Sequence, residues 1–138
     1  MTQDHSLPTA ANDQDAGDPL IACIHFAAQH FGQNFQWAAL SALARDERGH
    51  LPFHQAEAAL DLCFIHNEAL HGRKVRNFAR RLPAIMLRKD GSCAVLLEAR
   101  DDQYLQWVAG AEAAVWVGEE SVEASFAGQA VAIAADPT

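Results

Sequence analysis

The 138-residue chain is half hydrophobic and one-fifth charged, a composition that favours one folded domain over a disordered segment. Its formal net charge of -8 at pH 7 argues against nucleic-acid binding by charge alone, because such binding depends on neutralising phosphates. No apolar run reaches the roughly 18–20 residues that span a bilayer, and no basic-then-apolar signal opens the chain, so the sequence predicts a soluble, cytosolic segment.

The first helix carries the strongest local signal. Residues 1–17 are polar and acidic and are predicted to form a disordered tail. In residues 18–32 (DPLIACIHFAAQHFG), apolar side chains recur at spacings of three and four and therefore share one helix face. Asp18 is predicted to cap this helix, with Pro19 at the first position, where the missing N–H has no intrahelical partner anyway. Gly32 is predicted to end it in the left-handed conformation.

Two shorter helices are predicted next. The first covers about residues 35–44, with Asn34 as its N-cap. Its buried side is predicted to carry three large apolar residues, Trp37, Leu40 and Leu43. A charged loop closed by Gly49 and Pro52 leads to the second helix, over about residues 53–63, where apolar residues again recur at helical spacing.

From Phe64 onward, short apolar runs replace the helical pattern. Asp90-Gly91 between the two apolar runs of residues 84–100 predicts a β-hairpin with a type I′ turn, which requires positive φ at both central residues. The other predicted elements are a short strand in 64–71, one or two helical turns in 75–82, strands in 103–109 and 113–117, a short capped helix in 121–126 and a final strand in 130–135. Helices followed by a mostly antiparallel sheet predict the α+β class.

The three cysteines are candidate nucleophiles. Cys23, Cys63 and Cys93 are odd in number and widely spaced, which predicts reduced and mostly buried side chains rather than a disulfide framework. A catalytic thiolate needs the first turn of a helix, where the backbone dipole lowers the thiol pKa, and Cys23 lies one turn too far along. A structural role is therefore favoured for Cys23. A cysteine peptidase using Cys23 or Cys93 is the enzymatic alternative.

The sequence predicts no metal or cofactor site. Cys63 and His66 form a CxxH pair without a second pair, and Pro52 separates His50 from His54 on what would be a shared helix face. No glycine-rich phosphate-binding loop is present.

Positive charge is concentrated in one segment, the basic ridge of residues 73–89. It holds seven of the ten Lys and Arg residues: Arg73, Lys74, Arg76, Arg80, Arg81, Arg88 and Lys89. No Asp or Glu interrupts it. A basic ridge on an acidic protein suits an acidic polypeptide or anionic lipid headgroups, and a solvated face without a partner fits equally well.

Three stretches together resemble the N-terminal domain of type I secretion ABC transporters. They are residues 18–32, residues 49–70 (GHLPFHQAEAALDLCFIHNEAL) and residues 75–99 (VRNFARRLPAIMLRKDGSCAVLLEA). That domain is similar to a double-glycine (bacteriocin-processing) cysteine peptidase that has lost its chemistry, and the spacing resembles the subgroup attached to exporters of large repeat-in-toxin (RTX) adhesins. The resemblance covers about residues 18–135 and implies a papain-like fold, with a helical block packed on the sheet. It also implies that a transmembrane region and an ATPase, which alone would bind ATP, are absent here.

The resemblance places unreactive residues at the catalytic positions. Active members carry Asp-Cys-Gly at the start of the first helix and a His and an Asp on the sheet. The corresponding positions in this sequence are Pro19, Cys93 and, by a loose alignment, Val108. Asp13 or Gln14 would lie near the oxyanion position. Proline cannot attack a carbonyl and valine cannot orient a base, so the resemblance implies no catalytic residue and no enzyme activity.

The implied function is recognition of an exported protein. Domains of this kind bind the unfolded substrate on the cytoplasmic side of the inner membrane of Gram-negative bacteria, and meet the membrane only through the full transporter. Calcium-free RTX proteins are acidic, so the basic ridge suits them by charge. The expected contact residues on the ridge are Arg76, Arg80, Arg81 and Arg88. A second hypothesis makes a groove wall of Leu87, Cys93, Tyr104 and Trp107, although a role as ordinary sheet core is favoured for these four. The remaining alternative is docking onto the transporter's own ATPase domain.

Overall fold

An antiparallel sheet of six strands forms the centre of the computed structural model, which describes residues 18–134. The strands are β1 (His66–Leu70), β2 (Ala84–Arg88), β3 (Cys93–Arg100), β4 (Gln103–Val108), β5 (Val115–Gly118) and β6 (Phe126–Ala134). Their order is β1-β6-β2-β3-β4-β5, and every neighbouring pair is antiparallel. The predicted α+β class is confirmed. The predicted tail, residues 1–17, and Ala135 at the end of the predicted final strand lie outside the described residues.

The first helix forms as its sequence predicts. Helix α1 (Pro19–His30) begins after Asp18, whose Oδ1 accepts a hydrogen bond from the Ile21 backbone N–H at 3.3 Å. Gly32 follows the helix with a φ of 70°, the left-handed conformation that favours glycine. The buried face consists of Leu20, Ile21, Cys23, Ile24, Ala27 and Ala28.

The prediction of the second helix is wrong in its length and in its N-cap residue. Helix α2 (Trp37–Leu40) is a single turn, and Gln36 rather than Asn34 precedes it, without a side-chain capping bond. The Arg45 guanidinium donates hydrogen bonds to the Leu40 and Leu43 carbonyl oxygens, at 3.1 and 3.0 Å. These carbonyls are thus satisfied by a side chain, and the helix does not continue through the segment.

The other helices agree with prediction in place and differ at their ends. A 3-10 turn (Phe53–Gln55) leads into helix α3 (Ala56–Leu62), and a longer 3-10 segment covers Val75–Arg81. Helix α4 (Glu119–Ser125) begins two residues before the predicted start, directly after β5. Strand β6 starts four residues before its predicted start, because the ladder with β2 extends to Phe126.

The predicted hairpin joins β2 and β3, but its turn is not type I′. The Arg88 backbone N–H donates to the Ser92 carbonyl, and the Gly91 N–H donates to the Arg88 carbonyl, both at 2.9 Å. Gly91 has a φ of 88°, whereas Asp90 does not have a positive φ. This pattern is a three-residue loop in which a type I turn is followed by a left-handed glycine. The Asp90 carboxylate favours it by accepting hydrogen bonds from the Ser92 N–H and hydroxyl, at 2.9 and 2.6 Å.

Strand alternation divides the core into two clusters. The first lies between the sheet and helices α1 and α3, and its sheet residues include Ile85, Cys93, Val95, Val131 and Ile133. The second lies on the opposite sheet face, where the segment Val75–Arg81 and α4 cover a set that includes Met86, Ala94, Leu96, Tyr104 and Phe126. Because side chains alternate along a strand, a residue's cluster shows which face of the sheet it occupies.

Candidate functional site

A cleft opens on the helical side of the sheet, at the start of α1. It has a volume of about 250 Å³ and lies between the first turn of the helix, the loop of residues 46–53 and the β2–β3 hairpin. Its walls are apolar and are formed by Pro19, Leu20, Leu51, Pro52, Phe53, Leu87 and Cys93. Its rim is polar and is formed by Asp46, Arg48 and His50, with Gly91 at the hairpin.

Asp18 fastens the loop to the helix at one end of this cleft. Besides capping α1, its carboxylate accepts a hydrogen bond from the Leu51 backbone N–H to Oδ2 at 2.7 Å. Arg45 lies beside the same oxygen, with its Nε 3.9 Å away. Asp18 is only 5 % exposed, so these partners replace water around a buried carboxylate. The sequence indicates the cap but not the longer-range bond to Leu51.

The charged rim is a structured loop. Asp46 Oδ1 accepts hydrogen bonds from the Arg48 and His50 backbone N–H groups, at 2.8 and 3.0 Å. The bond from His50 is the main cause that lowers the pKa of the Asp46 carboxyl, with smaller contributions from Arg48 and the two nearby cationic side chains. The Asp46 carboxylate therefore fixes the backbone of this loop at the mouth of the cleft.

Two of the three positions that the resemblance assigned to the triad share this cleft. Pro19, at the first position of α1, and Cys93, at the start of β3, both line it. Val108 does not, because it pairs with Ala94 and packs in the second cluster, on the opposite face from Cys93. Its neighbour Ala109 donates its N–H to the Cys93 carbonyl at 3.0 Å and packs against the first cluster. On this face of the sheet the neighbour of Cys93 is therefore Ala109 rather than Val108.

The thiols are buried. Cys23 and Cys63 are 0 % exposed and Cys93 is 2 % exposed. Burial raises the pKa of the Cys23 thiol well above its usual value, and a hydrogen bond and charge interaction with the Cys93 thiol add to this effect. Burial also raises the pKa of Cys63, with partial compensation from the Gln36 backbone N–H. Cys23 and Cys63 are therefore poorly suited to form a reactive thiolate near neutral pH.

The predicted groove wall is divided between the two sheet faces. Leu87 lines the cleft. Trp107 lies on the same side of the sheet, half-buried, with its ring stacked on Phe26 at a centroid distance of 4.4 Å. Tyr104, three residues before Trp107, is buried in the second cluster. Tyr104 therefore belongs to the sheet core, the alternative that the sequence favours, and does not line the groove, because residues three apart on a strand point to opposite faces.

The basic ridge does not lie on one side of the sheet: Leu87, near its end, lines the cleft, whereas its first part does not. Val75 and Phe78 anchor its first part in the second cluster, on the opposite face of the sheet. Acidic residues from other elements contact it: Glu123 accepts from the Val75 and Arg76 backbone N–H groups at 2.9 and 3.1 Å, and Glu68 pairs with Arg81. These contacts add negative charge that the ridge's own sequence lacks.

The Arg and Lys side chains of the ridge differ in whether they form ion pairs. Arg88 is 23 % exposed; its Nη1 donates to the Ser92 hydroxyl at 3.2 Å and lies 3.6 Å from Asp90. Among residues 18–134, no ion pair is formed by Arg73, Lys74, Arg76, Arg80 or Lys89.

Neither a metal cluster nor a membrane-spanning helix is found in the described part of the chain. Residues 18–134 contain no group of three or more His, Cys, Asp or Glu side chains positioned to hold a metal ion. Of the helices between these limits, none is long and apolar enough to cross a bilayer.

Solved structures with the same fold are domains of ABC transporters. The N-terminal peptidase C39-like domain of the toxin secretion ATP-binding protein from Vibrio parahaemolyticus has a TM-score of 0.73 at 16% identity, over 84% of this chain and 95% of that one. A double-glycine-motif protease from an AMS/PCAT transporter, solved with its leader peptide, has a TM-score of 0.66 at 11% identity, over 83% and 81%. The peptidase domain of Streptococcus ComA, a bi-functional ABC transporter involved in quorum sensing, has a TM-score of 0.59 at 19% identity, over 78% and 84%.

These likenesses confirm the predicted resemblance at the level of the fold. The chain has the fold of peptidase C39-like domains. Among the three solved structures, one is a peptidase-like domain and the other two are a protease and a peptidase domain. No protein-family model and no curated protein sequence matches the chain.

Proposed function

We propose that this domain binds a polypeptide destined for export by a type I secretion ABC transporter and does not cleave it. The observation that carries the proposal is the position of Pro19. It occupies the first position of α1 and faces a cleft shared with Cys93, in a fold that working peptidases also use. A proline ring nitrogen in a peptide bond has neither a proton nor a free electron pair with which to attack a carbonyl.

The cleft is chemically suited to holding an extended chain. Phe53 and Leu87, both partly exposed, offer apolar contact, while Asp46 and Arg48 on the rim offer charged groups to a backbone or a polar side chain. The nearest thiols are buried, and burial raises the pKa of Cys23. Binding without bond cleavage is therefore the behaviour that these groups support.

The proposed substrate is an unfolded RTX-type protein, met on the cytoplasmic side of the inner membrane of a Gram-negative bacterium. Such a chain is acidic before it binds calcium, so cations outside the cleft would attract it. Arg76 and Arg80 are exposed and form no ion pair within the described residues, which makes them better candidates than Arg81 or Arg88. Because Arg76 and Arg80 lie in the segment that packs on the opposite sheet face from the cleft, we assign these two arginines to steering and the cleft to holding.

The proposal is tested by NMR titration of the isotope-labelled domain with an RTX repeat polypeptide in the absence of calcium. We expect shifts that centre on the cleft, little response to the calcium-folded polypeptide, and an intact polypeptide by mass spectrometry after prolonged incubation. Leu87→Gln should weaken binding, whereas Leu105→Gln, a matched change at a half-buried strand residue outside the cleft lining, should not.

Other outcomes would overturn the proposal in different ways. Shifts produced only by the transporter's ATPase domain would show a docking module. Cleavage of the polypeptide, lost in Cys23→Ala or Cys93→Ala, would show a cysteine peptidase.

A further inference from the structure

Two cysteines from distant parts of the chain meet under the cleft. Cys23 lies in the second turn of α1, and Cys93 is the first residue of β3. Both belong to the first core cluster, in which α1 packs on β3, and the Cys93 thiol is close enough to contribute to the raised pKa of the Cys23 thiol. Since Cys93 also lines the cleft, one member of the pair borders solvent-accessible space while the other is enclosed.

We infer that Cys23 and Cys93 are a dithiol site that a small-molecule disulfide, such as oxidised glutathione, converts to a cystine linking α1 to β3. This goes beyond the proposed binding function, which requires neither thiol. The cross-link would fix the first helix against the hairpin strand, and so would hold the floor of the cleft in one geometry.

The position of each thiol sets the order of the exchange. Cys93 borders the cleft, so its thiolate attacks the small disulfide, forms a mixed disulfide and releases one small thiol. The Cys23 thiolate then attacks the Cys93 sulfur and releases the second small thiol. The two protein thiols are oxidised to one cystine, the reagent is reduced to two thiols, and the two protons of the protein thiols pass to the released thiols.

The third cysteine provides an internal control. Cys63 caps the end of α3 and is as deeply buried as Cys23. Its thiol interacts with the Gln36 backbone N–H, and no other thiol of the described residues perturbs it. Burial alone therefore does not distinguish Cys63 from the pair; proximity to a second thiol does.

The exchange should be slow at neutral pH and faster in alkali. Burial and the neighbouring thiol raise the pKa of Cys23, so little of the resolving thiolate is present near pH 7. The fraction of thiolate grows as the pH rises toward that pKa, and the second step should accelerate with it.

The test is incubation of the folded, fully reduced domain with oxidised glutathione across a range of pH, followed by intact-mass and peptide-mapping mass spectrometry without reductant. We expect a product lighter by two hydrogen atoms, containing a Cys23–Cys93 linked peptide, formed faster at higher pH and reversed by dithiothreitol. Cys63→Ala should behave like the wild type. Cys23→Ala should stop at a glutathione adduct on Cys93, because the resolving thiol is missing.

Three results on the wild-type protein would overturn the inference, whatever the stability of the variants. One is a persistent glutathione adduct on Cys93 with no cross-link. Another is a cystine that includes Cys63. The third is full retention of three free thiols at alkaline pH under conditions in which the urea-unfolded chain is oxidised.

Discussion

Asp18 and Leu51 are 33 residues apart in the chain, yet the Asp18 Oδ2 accepts a hydrogen bond from the Leu51 backbone N–H at 2.7 Å. The other carboxylate oxygen caps α1 through the Ile21 N–H. One buried side chain thus joins the start of the helix to the loop that forms the opposite wall of the cleft. The two bonds therefore connect two walls of the cleft through a single carboxylate.

Removing this carboxylate should destabilise the domain. Asp18→Ala loses a helix cap, worth roughly 1 kcal/mol, and leaves the buried Leu51 N–H unpaired, which costs about 1–3 kcal/mol. We expect the free energy of unfolding to fall by roughly 2–4 kcal/mol in urea denaturation. Asp18→Asn, which keeps an acceptor oxygen, should lose less.

Glu112→Ala is the matched control, since it also removes one carboxylate, from an exposed residue whose side chain forms no hydrogen bond or ion pair within residues 18–134. Its free energy of unfolding should change by no more than about 0.5 kcal/mol. Equal losses in the Asp18 and Glu112 variants would mean that net charge, rather than the link to Leu51, determines the effect.

The native thiols should resist alkylation. Burial raises the pKa of both Cys23 and Cys63, so the thiolate fraction at pH 7 is below that of a free cysteine and rises only at more alkaline pH. We expect iodoacetamide to label the folded domain slowly at pH 7, faster as pH increases, and all three cysteines readily after unfolding in urea. A thiol in the native protein that reacts faster at pH 7 than free cysteine would instead favour the peptidase alternative.

The exposed arginines of the basic ridge should affect the binding of an acidic polypeptide in a salt-dependent way. Arg76→Glu and Arg80→Glu reverse two charges that have no ion-pair partner among the described residues, and each should weaken binding roughly two- to fivefold at low salt, corresponding to about 0.5–1 kcal/mol. The difference should shrink at high salt, where the Debye length is short. The measurement is the dissociation constant for a calcium-free RTX repeat polypeptide at several salt concentrations.

Arg100→Glu is the control for charge reversal in general, because Arg100 lies outside the ridge, with its guanidinium 5.0 Å from the centre of the Trp116 ring. If it weakens binding as much as Arg80→Glu, the effect comes from total charge and the ridge has no special role.

Local chemistry in the sequence determines some elements, and long-range contacts determine others. Helix α1 could be predicted because its cap, first-position proline and terminal glycine lie within the segment itself. Which face of the sheet a strand residue occupies depends on the strand register, which the sequence of one strand does not determine. A shift of one residue decides whether Val108 or Ala109 is the neighbour of Cys93.

The charge around the basic ridge also depends on a long-range contact that the local sequence does not indicate. Its sequence contains no acidic residue, but folding brings Glu123 to the Val75 N–H from 48 positions away. Neither the strand register nor this contact has a local signature, so the cleft could be predicted only in outline, from the resemblance.

A cysteine placed at position 19 should be the most reactive thiol in the protein. Pro19 is the first residue of α1, where free backbone N–H groups and the helix dipole favour a negative charge. Pro19→Cys is therefore expected to have a thiol pKa below the ordinary value and to react with iodoacetamide at pH 7 faster than Ala42→Cys, an exposed position outside any helix. The variant should still leave a polypeptide uncut, because Cys93 is a poor substitute for a histidine base and Ala109 cannot orient one. A thiol at position 19 that reacts no faster than the one at position 42 would show that the start of α1 does not activate a nucleophile in this chain.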